Sequence, residues 1–93
     1  MPVVMFLEMP GATTEQYDEI NKLMGINGPA DEPAGLISHV CAKTDDGLVI
    51  CDVWRTQADL DDFSANQVGP AAEKVGASAT PPRLAELHYQ FHR

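Results

Sequence analysis

The sequence predicts an α+β fold in which two helices cover one side of a four-stranded antiparallel sheet. Two alternating, β-branched runs flank an Asp-Gly pair at 46–47, two stretches with helical spacing each begin at a capping threonine, and two more strand-like runs lie near the chain ends. These elements follow one another as β-α-β-β-α-β. That order is the split arrangement of ferredoxin-like domains.

The first half of the chain contributes one strand and one helix. Residues 3–9 form an apolar run that ends at a Pro-Gly pair. Thr13 and Gln16 then stand at capping-box spacing and predict a helix that closes near Gly25. The segment 26–34 carries two prolines and no periodicity, so we expect a surface loop long enough to reach over a cleft.

The strongest local signal is a β-hairpin between residues 36–43 and 48–55. With Asp46-Gly47 as a two-residue turn, antiparallel pairing places Cys41 opposite Asp52 and His39 opposite Trp54. One face then collects a chemically mixed set of side chains: Ile37, His39, Cys41, Ile50, Asp52 and Trp54. The other face holds Leu36, Ser38, Val40, Val49, Cys51 and Val53. The two cysteines fall on opposite faces, and we expect packed thiols rather than a disulfide.

The second half contributes another helix and a last strand. Thr56 caps the helix, whose apolar side carries Leu60 and Phe63. Gly69-Pro70 is expected to interrupt it before a short helical turn. Alternation over residues 83–91 predicts the fourth strand.

Length and charge exclude several classes of function. A chain of 93 residues predicts one domain spanning 1–93. The net charge of −8, from 14 acidic and 6 basic side chains, disfavours binding to nucleic acid and to anionic membranes. The sequence has no apolar run of about 18 residues and no secretion signal at its start, so we expect a cytoplasmic protein. The uncovered second face of the sheet, apolar at Val40, Val49 and Val53, predicts a homodimer with C2 symmetry.

The mixed hairpin face suggests chemistry. Polar groups in the middle of paired strands are costly to bury unless they find partners. Asp52 can orient an imidazole and raise its basicity, His39 would then act as a general base, and Trp54 would supply a flat wall for an aromatic substrate. In the structural alternative, His39 and Asp52 only hydrogen-bond to each other or across the dimer interface. Trp54 is then an ordinary residue of the hydrophobic core.

A metal site is an alternative interpretation of the polar residues on this face together with His88. His39, His88 and Asp52 have the composition of a two-histidine, one-carboxylate iron site. Their spacing has no motif specificity, so we expect no metal.

Four segments carry a resemblance to a known family: Val49–Thr56 followed by Leu60 and Phe63, Met9–Thr13 with Tyr17, Gly35–His39, and Leu87–Tyr89. Over nearly its whole length, the chain resembles the dimeric α/β barrel family of antibiotic-biosynthesis-monooxygenase-like proteins. The resemblance implies that two ferredoxin-like protomers pair into a barrel. It also implies a ligand cavity inside each protomer, between the helices and the sheet.

The resemblance leaves the activity open, because the fold hosts cofactor-independent monooxygenases, haem-degrading enzymes, isomerases and cyclases. The haem-degrading members carry an iron-binding histidine on the second helix. The helix that begins at Gln57 has none.

We therefore expect a cofactor-independent enzyme of small-molecule metabolism, monooxygenase-like or cyclase/isomerase-like, that acts on an aromatic or polyketide-like substrate. The expected catalytic residues are His39, Asp52 and His88. The expected substrate-binding residues are Tyr17, Ile37, Ile50, Trp54 and Phe63. The alternative is a non-catalytic, ligand-binding or structural dimer.

Overall fold

The structure, a computed structural model, describes residues 1–93 and has the expected order of elements. Its strands are β1 (Val3–Pro10), β2 (Leu36–Lys43), β3 (Gly47–Trp54) and β4 (Arg83–Glu86). Its helices are α1 (Thr14–Leu23), α2 (Gln57–Phe63) and α3 (Gly69–Val75), with a 3₁₀ turn at Pro29–Asp31 and a π-helical segment at Ser64–Val68. The strands form one antiparallel sheet in the order β2-β3-β1-β4. This confirms the α+β, ferredoxin-like prediction.

The buried core lies between the helices and one face of the sheet. Near the hairpin turn, Met9 and Leu48 pack with Ile20 of α1 and Ala71 of α3. At the other end of the sheet, Leu60 of α2 joins a second cluster that contains Val3, Met5 and Trp54. The two clusters hold the helices at opposite ends of the same face, which leaves room for a cavity between them.

Helix α1 starts as its sequence indicates. The Gln16 backbone N–H donates to the Thr13 hydroxyl at 3.1 Å, and the Thr13 backbone N–H donates to the Gln16 side chain at 3.0 Å. This reciprocal capping box satisfies two backbone donors that a helix start leaves free. Gly25 then leaves the helix with φ 78°.

The hairpin forms, but its register differs from the prediction. Thr44 bonds to Gly47 across the turn, so Asp45 and Asp46 are the turn residues and His39 pairs with Asp52 rather than with Trp54. Gly47 is instead the first residue of β3 and pairs with Pro10 of β1, where a Cβ would collide with the carbonyl oxygen of Met9. Gly47 therefore serves a close approach of two strands and not a turn.

Helix α2 is not interrupted at Gly69-Pro70 as expected. The chain stays helical from α2 through the π-helical segment into α3, where Pro70 lies in the first turn. The Gly69 N–H donates to the Ser64 carbonyl oxygen, five residues back. Pro70 has no N–H to donate, and its ring would clash with the preceding turn of a regular α-helix. The wider π-helical turn has room for both features.

Strand β4 is shorter than predicted and ends at Glu86 rather than at 91. It pairs only with β1, and its last partner is Val3 at the start of that strand. Beyond this pair the Leu87 N–H reaches the Pro2 carbonyl oxygen at 3.0 Å, and Pro2 has no N–H to return. The alternating pattern continues after Glu86 without a strand to pair with.

The second face of the sheet carries no helix and exposes apolar side chains. Phe6 is 48% exposed and Val40 57% exposed. From beyond β4, the Gln90 side chain donates to the Ser38 hydroxyl on β2 at 3.3 Å. No helix of the structure combines the length and the apolar character that crossing a bilayer requires.

Candidate active site

A β-bulge in β2 determines which side chains face the helices at one end of the site. Leu36 pairs with Trp54 and Ser38 with Val53, so Ile37 is an extra residue on β2. A bulge changes which side chains face the core. Leu36 therefore turns toward the helices, and Ile37 is 49% exposed.

A chain of hydrogen bonds links four side chains on the helix-covered face. The Tyr17 hydroxyl bonds to Nε2 of His39, Nδ1 of His39 lies 2.5 Å from Oδ1 of Asp52, and Nε1 of Trp54 donates to Oδ2 of Asp52 at 3.1 Å. Tyr17 comes from α1, His39 from β2, and the other two from β3. The observed pairing of His39 with Asp52 brings the imidazole and the carboxylate together.

The partners of the imidazole define its tautomer. A carboxylate only accepts hydrogen bonds, so Nδ1 carries the proton and donates it to Asp52, and Nε2 keeps its lone pair toward Tyr17. Asp52 is 6% exposed and Trp54 1%, and no buried side-chain polar atom lacks a partner.

The surroundings make this imidazole more basic than usual. The hydrogen bond to Asp52 raises the pKa of His39 above its ordinary value, burial opposes this, and the negative charges of Asp52 and Glu32 add to the increase. Burial raises the pKa of the Tyr17 hydroxyl, which favours its neutral form. Nε2 of His39 is thus a strong hydrogen-bond acceptor, and the Tyr17 hydroxyl is its neutral donor.

The chain borders a cavity of about 450 Å³ between the helices and the sheet. This volume lies within the range of small-molecule sites. Its walls are mainly apolar and include Met5, Leu7, Ile50, Leu60, Phe63 and Val68. The π-helical segment contributes Ser64 and Val68, and residues 77–82 close the side next to β4.

A groove on the surface adjoins the cavity. The groove runs between the end of α1, the segment 26–32 and the start of β2. Asn21, Ile26, Glu32, Leu36 and His39 border both spaces. The loop expected to reach over a cleft thus lines the groove and contributes Ile26 and Glu32 to the cavity wall.

The structure brings together most of the residues singled out from the sequence. His39, Asp52, Tyr17, Ile50 and Phe63 all border the cavity. The hairpin alternation grouped three of these on one face. Leu36, Asn21 and Glu32 also border it and were missed, because only the bulge turns Leu36 inward and the other two have no distinctive pattern.

Three of the expected site residues lie elsewhere. Ile37 points outward at the bulge, and His88 is exposed beyond the end of β4. Trp54 lies behind Asp52, where its ring packs against Phe63 with centroids 5.3 Å apart, and it does not wall the cavity. His88 therefore does not join His39 and Asp52, and no group of three or more His, Cys, Asp or Glu side chains is placed to hold a metal ion.

The fold and this site define a ferredoxin-like domain with a cavity between its sheet and its helices. No family model matches the chain, and no curated protein sequence matches it. A candidate antibiotic biosynthesis monooxygenase from Chloroflexus aurantiacus J-10-fl superposes with a TM-score of 0.66 at 18% identity, covering 99% of this chain and 98% of that one. A second one, from Deinococcus radiodurans, gives a TM-score of 0.61 at 13% identity over 100% and 98% of the two chains. SnoaB, a cofactor-independent oxygenase from Streptomyces nogalater, gives 0.60 at 15% identity over 99% and 96%.

At these identities the likeness is one of fold. The chain has the fold of the antibiotic-biosynthesis-monooxygenase-like proteins over essentially its full length. This confirms the resemblance that the sequence segments indicate.

Proposed function

We propose that this protein is a cofactor-independent enzyme that removes a proton from a small aromatic or polyketide-like molecule, with His39 as the base. One observation carries the proposal: an imidazole held and made basic by Asp52 lies at the wall of an apolar cavity. Positioned bases of this kind accelerate proton transfer by about 10² to 10⁴. The similarity of fold to SnoaB, a cofactor-independent oxygenase, supports the same proposal.

The cavity favours an uncharged substrate. Apart from His39, its ionisable side chains are Tyr17, Glu32 and Asp52. A carboxylate or phosphate group on the ligand would meet Glu32 and Asp52 with no lysine or arginine in the wall to pair with it. A phenolic ring system with an acidic C–H group fits both the apolar walls and the base.

Two reactions follow from the same proton removal. In the oxygenase version the base takes a proton from a ring methylene group, and the carbanion attacks O₂ to form a C–O bond. The imidazolium returns its proton to give a hydroperoxide, whose O–O bond then breaks as the second C–H proton leaves with the hydroxyl group as water. Overall, CH₂ and O₂ give C=O and H₂O. In the isomerase or cyclase version no O₂ is consumed.

The test uses a hydroxyanthrone, a phenol with an acidic ring methylene group, and follows both O₂ uptake and product mass. His39→Gln should lower turnover by about 10² to 10⁴. His88→Gln is the matched control, because His88 is exposed and outside the site. Product without O₂ uptake would assign the isomerase or cyclase version. Unchanged turnover in a folded His39→Gln variant would overturn the base.

The non-catalytic alternative has its own support, since every buried polar group of the cluster already has a partner. It predicts that hydroxyanthrones and related phenols bind without turnover. Binding measured by quenching of the single tryptophan, together with no product over a panel of such phenols, would favour this alternative.

We also propose a homodimer in which the open sheet faces pack together. Phe6 and Val40 give this face an apolar centre, and burying such side chains is favourable. Light scattering at micromolar concentration should return twice the 10.1 kDa chain mass. Val40→Glu should shift the protein toward a monomer, and a monomeric wild type would refute the dimer.

A further inference from the structure

We propose that Tyr17 is the residue that meets the substrate proton, and that His39 withdraws this proton through the Tyr17 hydroxyl. The inference rests on the proposed function and adds a second acid–base residue to it. It assigns the catalytic contact to α1 rather than to the hairpin.

Both nitrogens of His39 are already occupied. Nδ1 donates to Asp52 at 2.5 Å, and Nε2 accepts from Tyr17. An imidazole has no other lone pair. A substrate in the cavity can therefore reach the basic nitrogen only by displacing the Tyr17 hydroxyl or by passing a proton through it.

Displacement of Tyr17 is opposed by the way its side chain is held. The residue lies in the first turn of α1, where its N–H donates to the Thr13 carbonyl oxygen at 3.0 Å, and the capping box fixes that turn. Its ring is half-buried and packs against the core cluster of Ile20 and Met9. The tyrosine and imidazole planes are within 6° of parallel, with centroids 6.0 Å apart.

The hydroxyl can pass a proton because an O–H group donates and accepts at once. The Tyr17 oxygen donates to Nε2 and has the Asn21 side chain as a second hydrogen-bond partner, which leaves one lone pair to accept the substrate proton. Its side chain borders the cavity. As the substrate gives its proton to the Tyr17 oxygen, the Tyr17 proton moves to Nε2. The products are a substrate anion, a neutral tyrosine and an imidazolium paired with Asp52.

The imidazolium can return the proton along the same relay. The His39 side chain is 24% exposed and borders the groove together with Asp18, Lys22 and Glu32. Both ring nitrogens are engaged by Asp52 and Tyr17, so water in the groove meets no free N–H, and the imidazolium keeps its proton while the substrate anion stays in the apolar cavity. In an oxygenase cycle, the relay run backward would protonate the peroxide.

The activity test is Tyr17→Phe, which keeps the ring and removes only the oxygen. We expect kcat for the hydroxyanthrone to fall by about 10² to 10⁴ with little change in KM. Tyr89→Phe, at the chain's other tyrosine and 77% exposed, is the matched control and should be unchanged. If Nε2 takes the proton directly, Tyr17→Phe uncovers it, and equal or faster turnover would overturn the relay.

A second readout does not depend on turnover. Diethyl pyrocarbonate acylates imidazole nitrogens that have a free lone pair, and peptide mass mapping separates His39 from His88 and His92. We expect His39 to react severalfold faster in Tyr17→Phe than in the wild type, measured against His88 in the same sample. An unchanged His39 rate would mean that the hydroxyl does not cover Nε2 in solution, and would sink the relay.

The two failures are distinguishable. A wild type that turns over no phenol of the panel removes the proposed function and the relay together. An active wild type with an equally active Tyr17→Phe variant leaves the function in place and removes only the relay.

Discussion

Replacement of Asp52 by Asn is the most direct probe of the site's construction. The carboxylate accepts from two buried donors, Nδ1 of His39 and Nε1 of Trp54. An asparagine has one accepting oxygen, so one of the two donors must then face an NH₂ group. The shape of the side chain is kept, and only charge and hydrogen bonding change.

The expected loss of stability follows from these two contacts. A hydrogen bond to a charged group contributes about 1.5–3 kcal/mol, and a buried donor without a partner costs about 1–3 kcal/mol. We expect about 3 kcal/mol in total. For a chain of this size each kcal/mol lowers Tm by about 4–8 °C, so Tm should fall by at least about 10 °C.

The variant should also change the imidazole. Without the carboxylate, the main cause of the raised pKa of His39 is gone and burial is opposed only by the charge of Glu32, so the titration midpoint of His39 should move down. Urea unfolding followed by Trp54 fluorescence measures the stability, and NMR of the imidazole nitrogens measures the titration. Samples are compared at equal concentration, because the proposed dimer would make stability depend on concentration.

Asp61→Asn is the control, because this carboxylate is exposed on α2. Its effect should stay within about 0.5 kcal/mol. An Asp52→Asn variant with the stability of this control and an unchanged His39 midpoint would refute the account of the hydrogen-bond chain.

Three further predictions concern pH, the indole and the hairpin glycine. Because the pKa of His39 is raised from 6.5, its protonated form stabilises the fold below that value, and this contribution is lost as pH rises through the folded pKa. Over the same range kcat/KM should rise, since the base must be unprotonated; a falling profile would contradict it. Trp54→Phe should cost about 1–3 kcal/mol in urea unfolding for the lost donor, and Trp54→Ala about 3–5 kcal/mol; a Trp54→Phe variant as stable as the wild type would mean that Nε1 contributes nothing. Gly47→Ala should cost more than about 1 kcal/mol because of the collision with Met9, whereas Gly28→Ala, which has open space around it, should be nearly neutral.

Several features of the protein could be predicted from local sequence. The capping box of α1 involves residues three apart, and it forms as its spacing indicates. The alternation of the hairpin also placed His39 and Asp52 on one face, although the predicted pairs were wrong. The turn lies one residue earlier than expected, which shifts each pair by two residues, and a shift of two preserves the face because side chains alternate with period two.

Other features depend on residues far along the chain, and tertiary structure decided them. Gly47 lies in β3 close to Met9 of β1 rather than in the turn, and β4 ends where its partner β1 starts, at Val3. The bulge at Ile37 arises where β2 must align with the end of β3, and it exchanges the roles of Ile37 and Leu36. The local sequence pattern of residues 36–43 does not indicate how β2 aligns with the end of β3.

The sequence by itself thus determined the element order, the antiparallel hairpin and the polar character of one sheet face, because each depends on neighbours within a few residues. Only the tertiary structure decided that Tyr17 of α1 meets Nε2 of His39, that Trp54 supports Asp52 from behind, and that His88 lies outside the site. The physical reason is that hydrogen-bond partners are chosen by packing. Helix α1 must pack on the sheet before the Tyr17 hydroxyl can reach the His39 imidazole.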